Sequence, residues 1–292
     1  MAHFDFRLVN VFAESTFGGN PLCVFEDATG MDDATMQALA RQFNLSETTF
    51  LLPSDVADAQ VRVFTTGYEM RFAGHPTLGS AHVLRAISGG RDSLTLAFKA
   101  GRVPVSAQGD YWTLIAPTTG APGIRATGVP EQAIAAMVGL EAADLAAIPV
   151  WVDTGADQLL IQVKTVAAVR RALPPSSLLA DWPLSSLGRK CAYVFAFAEA
   201  PETMQENTRQ VEARYFFAMH GGGVFEDPGT GSACANLGGW LLAAQTRLPV
   251  RVAVRQGDAI DRPCRLLLEV GSDQAIRVGG RVVEIGRGSV DI

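Results

Sequence analysis

Two stretches of this sequence show the same pattern of residue types, and that pattern limits the folds that the chain can adopt. Each is a glycine-rich loop followed by a run of small and apolar residues, at residues 73–82 and 227–237. Pro76 suits the first turn of a helix, so the first stretch is predicted to be a loop that leads into a helix N-terminus. The second stretch has the same pattern. Strand-like runs surround both, and the matching order predicts two similar halves.

The strand-like runs are short and are bounded by turn residues. An amphipathic helix is predicted to open at Asp32, and a second short helix is predicted at residues 131–140. In the first half, strands are predicted at residues 8–12, 21–25, 50–52, 61–65, 68–72, 94–98, 102–105 and 111–115. In the second half, they are predicted at 150–152, 159–163, 191–198, 211–217, 250–254, 265–270, 275–278 and 282–285. Residues 116–128, rich in Pro, Thr, Gly and Ala, are the predicted linker.

The composition indicates a compact globular protein and argues against two classes of partner. The chain has 292 residues, of which 48% are hydrophobic and 18% charged, so it can fold without disulfides or a metal. Its net charge of −6 argues against nucleic acid as a main partner. The first residues lack a signal pattern, and no run is apolar enough for a membrane span. A cytoplasmic protein is therefore expected.

The cysteines and the common loop motifs exclude several kinds of site. The four cysteines show no zinc-ligand spacing, so they are predicted to be reduced, buried thiols and no metal site is expected. The second loop lacks the third glycine of a dinucleotide-binding fingerprint, because Cys234 stands there. The first loop is followed by Ser80 rather than Lys, which excludes a Walker loop.

The two loops suit a small anionic ligand. A helix N-terminus presents unpaired N–H groups and the positive end of the helix dipole, and glycine lets a ligand approach the backbone closely. Two such ends facing one cleft would bind a group such as a carboxylate. The alternative is that the glycines only make turns and allow close helix packing.

Three titratable residues are candidates for chemistry. Glu47 is flanked by apolar residues, and burial would raise its pKa towards the range of a general base and acid; the alternative is a solvated or helix-capping carboxylate. Asp227, at the mouth of the second loop, could cap the following helix, hold a ligand amine or act as an acid. His75, at the matching place in the first loop, could donate to a ligand carboxylate or shuttle a proton, or be structural.

A set of motifs in a fixed order resembles the phenazine-biosynthesis PhzF-like family. The motifs are Asn-Val-Phe at 10–12, Phe-Gly-Gly-Asn-Pro at 17–21, Leu-Ser-Glu-Thr-Thr-Phe at 45–50, Gly-His-Pro-Thr at 74–77 and Glu-Asp-Pro-Gly-Thr-Gly-Ser-Ala at 226–233. The resemblance implies an α+β, diaminopimelate-epimerase-like fold of two pseudo-symmetric domains, each a β-barrel-like sheet around a central helix. It assigns residues 1–118 with 281–292 to one domain and 119–280 to the other. It also implies a homodimer that uses no cofactor.

The resemblance assigns roles to particular residues. Glu47 matches the acid/base glutamate of the family, and His75 and Asp227 match its polar active-site partners. The positions that match substrate-binding loops are Asn20, Gly74, Gly231 and Ser232. Related epimerases use two opposed cysteines, but Ala73 and Pro228 stand at the corresponding places here, so a two-thiol mechanism is excluded.

These observations predict a cofactor-independent isomerase that moves a proton within a small carboxylate-bearing substrate through Glu47. One base acting on one face suits a shift of a double bond better than stereoinversion. Two alternatives stay open: an amino-acid epimerase or racemase with non-thiol bases, and a binding protein without catalytic activity.

Overall fold

The computed structural model describes residues 1–116, 121–199, 208–218 and 222–292. Within them the chain forms two compact units. Unit 1 comprises Met1–Ile115 with Gly279–Ile292, and unit 2 comprises Ala116–Val278. The domain boundary expected near residue 118 falls on residues 117–120, which lie outside the described residues, so that assignment stays a prediction.

Unit 1 contains two helices, α1 and α2, and the first eight strands. The strands are β1 (His3–Val11), β2 (Asn20–Phe25), β3 (Glu47–Leu52), β4 (Ala59–Phe64), β5 (Glu69–Met70), β6 (Ser93–Phe98), β7 (Gly101–Gln108) and β8 (Tyr111–Ile115). The helices are α1 (Asp33–Phe43) and α2 (Gly74–Ile87). Strands β1 to β4 pair in sequence order, β4 continues to β6, and β6 to β8 follow. The result is a curved sheet with α2 against its inner face.

Helix α2 is the centre of unit 1 because it is buried on nearly all sides. Residues 74–81 of this helix are all buried, and the helix contacts strands on several sides of the sheet. Gly79 permits the closest approach, since a Cβ there would lie 2.5 Å from the Leu22 side chain and 3.1 Å from that of Val11. A small residue is therefore required where the helix crosses β1 and β2.

Helix α1 covers the outer face of the sheet. Asp32 caps it by accepting a hydrogen bond from the Thr35 N–H, and Asn44 ends it in the left-handed conformation. Its buried side, led by Met36, packs in an apolar cluster with Phe25 and Phe50, whose rings stack 4.9 Å apart. The amphipathic helix predicted to open at Asp32 is thus present.

The described part of unit 2 follows the same plan, with three α-helices, strands β9 to β16 and the first three residues of β17. The strands are β9 (Gly123–Ala126), β10 (Val150–Asp153), β11 (Gln158–Gln162), β12 (Cys191–Ala198), β13 (Thr208–Ala218), β14 (Val224–Asp227), β15 (Val250–Gln256), β16 (Cys264–Val270) and β17 (Ile276–Asp291). The helices are α3 (Glu131–Met137), α4 (Val166–Arg171) and α5 (Gly231–Ala243). Strands β9 to β13 pair in order, and β13 pairs with both β14 and β15.

Helix α5 is the counterpart of α2. Most of its residues are buried, and two successive glycines bring it close to its neighbours. A Cβ at Gly238 would lie 2.8 Å from Ile276, and one at Gly239 would lie 2.7 Å from Thr154. Each unit therefore has the α+β plan of a β-barrel-like sheet around a central helix, as predicted.

Two expectations about secondary structure are wrong. The separate strands expected at 275–278 and 282–285 are one strand, β17, whose residues from Gly279 onwards belong to unit 1. There β17 pairs with β8 and runs antiparallel to β1, from His3 opposite Asp291 to Val11 opposite Val282, which closes the sheet of unit 1. The linker expected at 116–128 contains β9, which pairs with β10.

Within the described part of the chain, no helix is both long enough and apolar enough to cross a bilayer.

Candidate active site

In unit 1, three of the residues predicted for the site lie together where β2, β3 and α2 begin. Asn20 is the first residue of β2, Glu47 is the first residue of β3, and His75 lies in the first turn of α2. Strands β2 and β3 are parallel neighbours, with Leu22 opposite Glu47. Parallel strands begin at the same edge of a sheet, so this pairing brings the side chains to one end of the central helix.

Glu47 and His75 form the central contact of this group. The Glu47 Oε2 atom lies 3.4 Å from His75 Nε2, with 16% of the Glu47 side chain and 6% of the His75 side chain exposed. The carboxylate is thus held mostly out of water and against an imidazole. A carboxylate in such surroundings has the partial desolvation that a general base near neutral pH needs.

His75 is neutral at physiological pH. Burial lowers the pKa of its imidazole from 6.5 to about 3, because the charged form loses its hydration. Its Nδ1 atom lies 3.3 Å from Asn20 Nδ2. An amide nitrogen can only donate, so Nδ1 accepts and the ring hydrogen resides on Nε2, on the side of Glu47.

The backbone before Asn20 explains how this side chain reaches the helix. Gly19 has φ of +81°, and a Cβ there would lie 2.7 Å from the Ala13 side chain and 2.8 Å from the Val11 carbonyl oxygen. Only glycine fits this conformation and approach. Asn20 itself is fully buried, and its Oδ1 accepts a hydrogen bond of 3.3 Å from the Ser46 hydroxyl.

The N-terminus of α2 lies beside these groups. Its N-cap residue is Ala73, whose side chain cannot satisfy the first N–H groups of the helix. The Thr77 N–H and hydroxyl both donate to the Ala73 carbonyl oxygen, at 3.3 and 2.7 Å. The N–H groups of Gly74 and His75 lie in the first turn, so the helix has no carbonyl oxygen one turn earlier that could accept from them. N–H groups in this position favour an anionic ligand.

In unit 2, Asp227 lies at the end of β14 and is held by a polar cluster. Its Oδ2 atom accepts a hydrogen bond of 2.5 Å from the Thr230 hydroxyl, and its carbonyl oxygen accepts one of 2.8 Å from Gln256 Nε2. The N-cap of α5 is Thr230, three residues beyond Asp227. The suggestion that Asp227 caps this helix is therefore wrong; the carboxylate orders the loop before it.

Ser232, in the first turn of α5, ends a buried network. Its hydroxyl accepts a hydrogen bond of 2.9 Å from Gln158 Nε2. Gln158 Oε1 in turn accepts from Asn236 Nδ2, and Asn236 Oδ1 accepts from the Thr154 N–H and hydroxyl at 2.9 and 2.6 Å. The network fixes the first turns of α5 against β11. Gly231 is the first residue of that helix.

Sequence reasoning missed the residues that hold these groups in place. Four polar residues hold the candidate side chains in place directly or through one another: Ser46, Gln158, Asn236 and Gln256. Serine, asparagine and glutamine are frequent in any sequence, and most of these contacts join residues far apart in the chain. Ser46 and Asn236 were within motifs already singled out, and that was their only signal. The sequence also has three successive glycines within residues 220–225; of this stretch, residues 220 and 221 lie outside the described residues.

The cysteines are all buried. Burial raises the pKa of the Cys234 thiol, and the residue is fully buried, which confirms the prediction of a buried thiol. Among the residues that the structure describes, no three His, Cys, Asp or Glu side chains are grouped as ligands for a metal ion.

Comparison with known proteins confirms the family and the fold predicted from the motifs. Residues 9–288 match the model of the PhzC–PhzF family, described as phenazine biosynthesis-like proteins. An uncharacterized isomerase of Pasteurella multocida is 37% identical, over 98% of this chain and 94% of that protein. The trans-2,3-dihydro-3-hydroxyanthranilate isomerase of Pseudomonas aeruginosa is 32% identical, over 89% of this chain and 87% of that protein.

The crystal structure of a PhzF-family phenazine biosynthesis protein from Bacillus anthracis is 25% identical to this chain. It superposes with a TM-score of 0.85 and covers 100% of each chain. The match therefore extends over both units of the fold. The chain belongs to the phenazine biosynthesis-like PhzC–PhzF family and is an isomerase of that family.

Proposed function

We propose that the protein catalyses a proton shift within a small, carboxylate-bearing substrate, with Glu47 as general base and then general acid. The observation that supports this most is the contact between the Glu47 carboxylate and His75, with 16% of the glutamate side chain exposed. Enough of the glutamate is open to meet a substrate, while the rest is shielded from water.

The proposed reaction is an allylic shift of hydrogen. The Glu47 carboxylate takes a proton from a carbon next to a double bond, and the C–H electron pair forms a new double bond. The π electron pair of the original double bond moves to the far carbon. The Glu47 carboxylic acid then returns the proton to the far carbon. Atoms and electrons balance without an oxidant or reductant, which supports the proposal that no cofactor takes part.

His75 supports the basic form of Glu47 in this proposal. Its pKa of about 3 keeps the ring neutral, so it presents its Nε2–H to the carboxylate, 3.4 Å away, without adding a full positive charge. An imidazolium there would stabilise the carboxylate more strongly and make it a weaker base. A neutral donor orients Glu47 and preserves its basicity.

The N-terminus of α2 is the proposed binding site for the substrate carboxylate. The N–H groups of Gly74 and His75 and the helix dipole favour an anion at that position. Such a site would also stabilise negative charge that develops as the proton leaves carbon. For Asp227, Gly231 and Ser232 we propose contacts with substrate on the basis of the family motifs. A homodimer is proposed on the same basis. We also propose a cytoplasmic location, which is in keeping with four cysteines that are all free and buried.

The test is incorporation of solvent deuterium into trans-2,3-dihydro-3-hydroxyanthranilate, the compound named for a 32% identical relative, and into a panel of small unsaturated carboxylates. Glu47→Gln keeps the shape of the side chain and removes the base. We expect exchange to fall by about 10²- to 10⁴-fold, the usual contribution of a general acid or base. Glu131→Gln, on an exposed glutamate of α3, is the matched control and should retain full exchange.

Undiminished exchange in Glu47→Gln would exclude the role proposed for this residue. Inversion of an amino-acid stereocentre with exchange at that same carbon would favour the epimerase instead. Stabilisation by a compound that shows no exchange and no turnover would favour a binding protein.

A further inference from the structure

We propose that Asn20 is a positioning residue that fixes the tautomer of His75, rather than a substrate-binding residue as its place in the family motif suggests. This inference rests on the proposed role of Glu47 as the base. Its central observation is that Asn20 is 0% exposed, although it lies beside the glutamate and the histidine. A side chain without any exposed surface is placed to orient its neighbours.

The hydrogen bonds of this group run in one direction. The Ser46 hydroxyl donates to Asn20 Oδ1 at 3.3 Å, and Asn20 Nδ2 donates to His75 Nδ1 at 3.3 Å. His75 Nε2 then faces Glu47 Oε2 at 3.4 Å. Because an amide nitrogen has no acceptor capacity, the orientation of Asn20 forces the ring hydrogen onto Nε2. Every donor in the series points towards the carboxylate.

The opposite orientation of the Asn20 amide would work against the base. Oδ1 would then face Nδ1, and the ring hydrogen would move there. Nε2 would present a lone pair to an ionised carboxylate, so two acceptors would face each other across 3.4 Å. The ionised form of Glu47, which the reaction requires, is therefore compatible with one tautomer, and Asn20 selects it.

The backbone places Asn20 rigidly for this task. Gly19 provides the positive φ and the close approach to Val11, and Asn20 pairs with Val11 at the end of β1. A group that orients another through one hydrogen bond must be held within a fraction of an ångström. Strand β2 and the turn before it supply that constraint.

The experiment compares the wild type with Asn20→Asp, an isosteric change that replaces the donor by an acceptor. Nitrogen-15 NMR of the histidine rings reports which ring nitrogen bears hydrogen, and the His75 signals are assigned by their loss in His75→Gln. We expect hydrogen on Nε2 in the wild type and on Nδ1 in Asn20→Asp. We expect kcat to fall at least about 10-fold, as when a group that orients a functional histidine is removed, with KM changed less than about threefold.

His82 is an internal control on the same helix. Its Nδ1 accepts a hydrogen bond of 3.3 Å from the Trp112 indole N–H, so it also bears its hydrogen on Nε2, and Asn20→Asp should leave it unchanged. Hydrogen on His75 Nδ1 in the wild type would overturn the inference without any assay of activity. An Asn20→Asp protein with a raised KM and an unchanged kcat would also overturn it, since that is the result for a substrate-binding residue.

Two further results keep this inference separate from the proposed function. If Asn20→Asp fails to fold, the wild-type tautomer and Ser46→Ala decide: loss of the Ser46 hydroxyl should lower kcat and leave KM unchanged, and an unchanged kcat would contradict the series of hydrogen bonds. If Glu47→Gln keeps full exchange, the proposed base is wrong, and a ring hydrogen that moves from Nε2 in the wild type to Nδ1 in Asn20→Asp would still establish Asn20 as the group that sets the tautomer of His75.

Discussion

Acidification should destabilise this protein through His75 by an amount that the structure allows to be worked out. The ring has a pKa of about 3 in the folded state and 6.5 as the reference for the unfolded chain. A lowered folded pKa means that the unfolded state binds the extra proton, so the stabilisation is complete above pH 6.5 and is lost as the pH falls towards 3. At pH 5, 1.5 pH units below the unfolded value, the loss is about 2 kcal/mol.

The value at pH 5 depends little on the folded pKa, because the folded ring is unprotonated there for any folded value near 3. The nearby Glu47 carboxylate would favour an imidazolium and oppose this effect. We expect burial to dominate, since a proton on Nδ1 would face the N–H of Asn20, 3.3 Å away. His75 as a whole is 5% exposed, so solvent screens the charge of a protonated ring only weakly.

The assay is urea unfolding of the wild type and of His75→Gln at pH 7, 6 and 5, with the free energy of unfolding from linear extrapolation. Gln keeps a donor near Nε2 and does not titrate. The carboxylates and His82 titrate in both proteins, so the difference between the two curves isolates His75. We expect the wild type to lose about 2 kcal/mol more than the variant between pH 7 and 5. Parallel curves, or a wild type that gains stability in acid, would refute the reasoning.

Two further changes test the backbone and the buried network. Gly19→Ala should lower the free energy of unfolding by about 2–4 kcal/mol, because the positive φ and the overpacking both oppose a side chain there. Gly30 is the control: it has φ of +85° and nothing within 4 Å of an added Cβ, so Gly30→Ala should cost about 1 kcal/mol. Equal losses for the two variants in urea unfolding would contradict this account. Asn236→Leu breaks four hydrogen bonds, three of them buried and one partly buried, and should cost about 3 kcal/mol or more, measured against the exposed Gln132→Leu. A neutral Asn236→Leu would show that the network adds nothing to stability.

Local signals in the sequence were enough to predict several elements. Asp32 followed by apolar residues at helical spacing predicted α1, and the structure places Asp32 as its cap. The glycine loops predicted where α2 and α5 begin. These elements follow from capping, spacing and backbone freedom within a few residues, which the sequence contains directly.

Strand β17 shows why contacts between distant segments of the chain are harder to predict from sequence. Gly279 and Gly280 interrupt its apolar alternation, so a turn was expected between two strands. In the structure Gly279 serves a different purpose: a Cβ there would lie 2.6 Å from the Trp112 carbonyl oxygen. The glycine permits close approach to β8, a contact between residues more than 150 positions apart in sequence that no local pattern contains.

For the candidate site, too, local signals identify the residues but not the contacts between them. The residue types and motifs identified Glu47, His75 and Asn20, but not that they touch. Their contact depends on the parallel pairing of β2 with β3 and on the position of α2 across them. The direction of the hydrogen bonds depends further on the Ser46 hydroxyl. Such information comes from tertiary geometry.

Strand β17 also affects how the protein is made. Residues 279–291 complete the sheet of unit 1, where Asp291 pairs with His3, so a ribosome must finish the whole of unit 2 before β1 receives its second neighbour. Until then one edge of β1 is unpaired and open to pairing with other chains. Unit 2 does not wait for these residues. During synthesis, then, the half that contains Glu47 and His75 is the last to close, although it is the first to be translated.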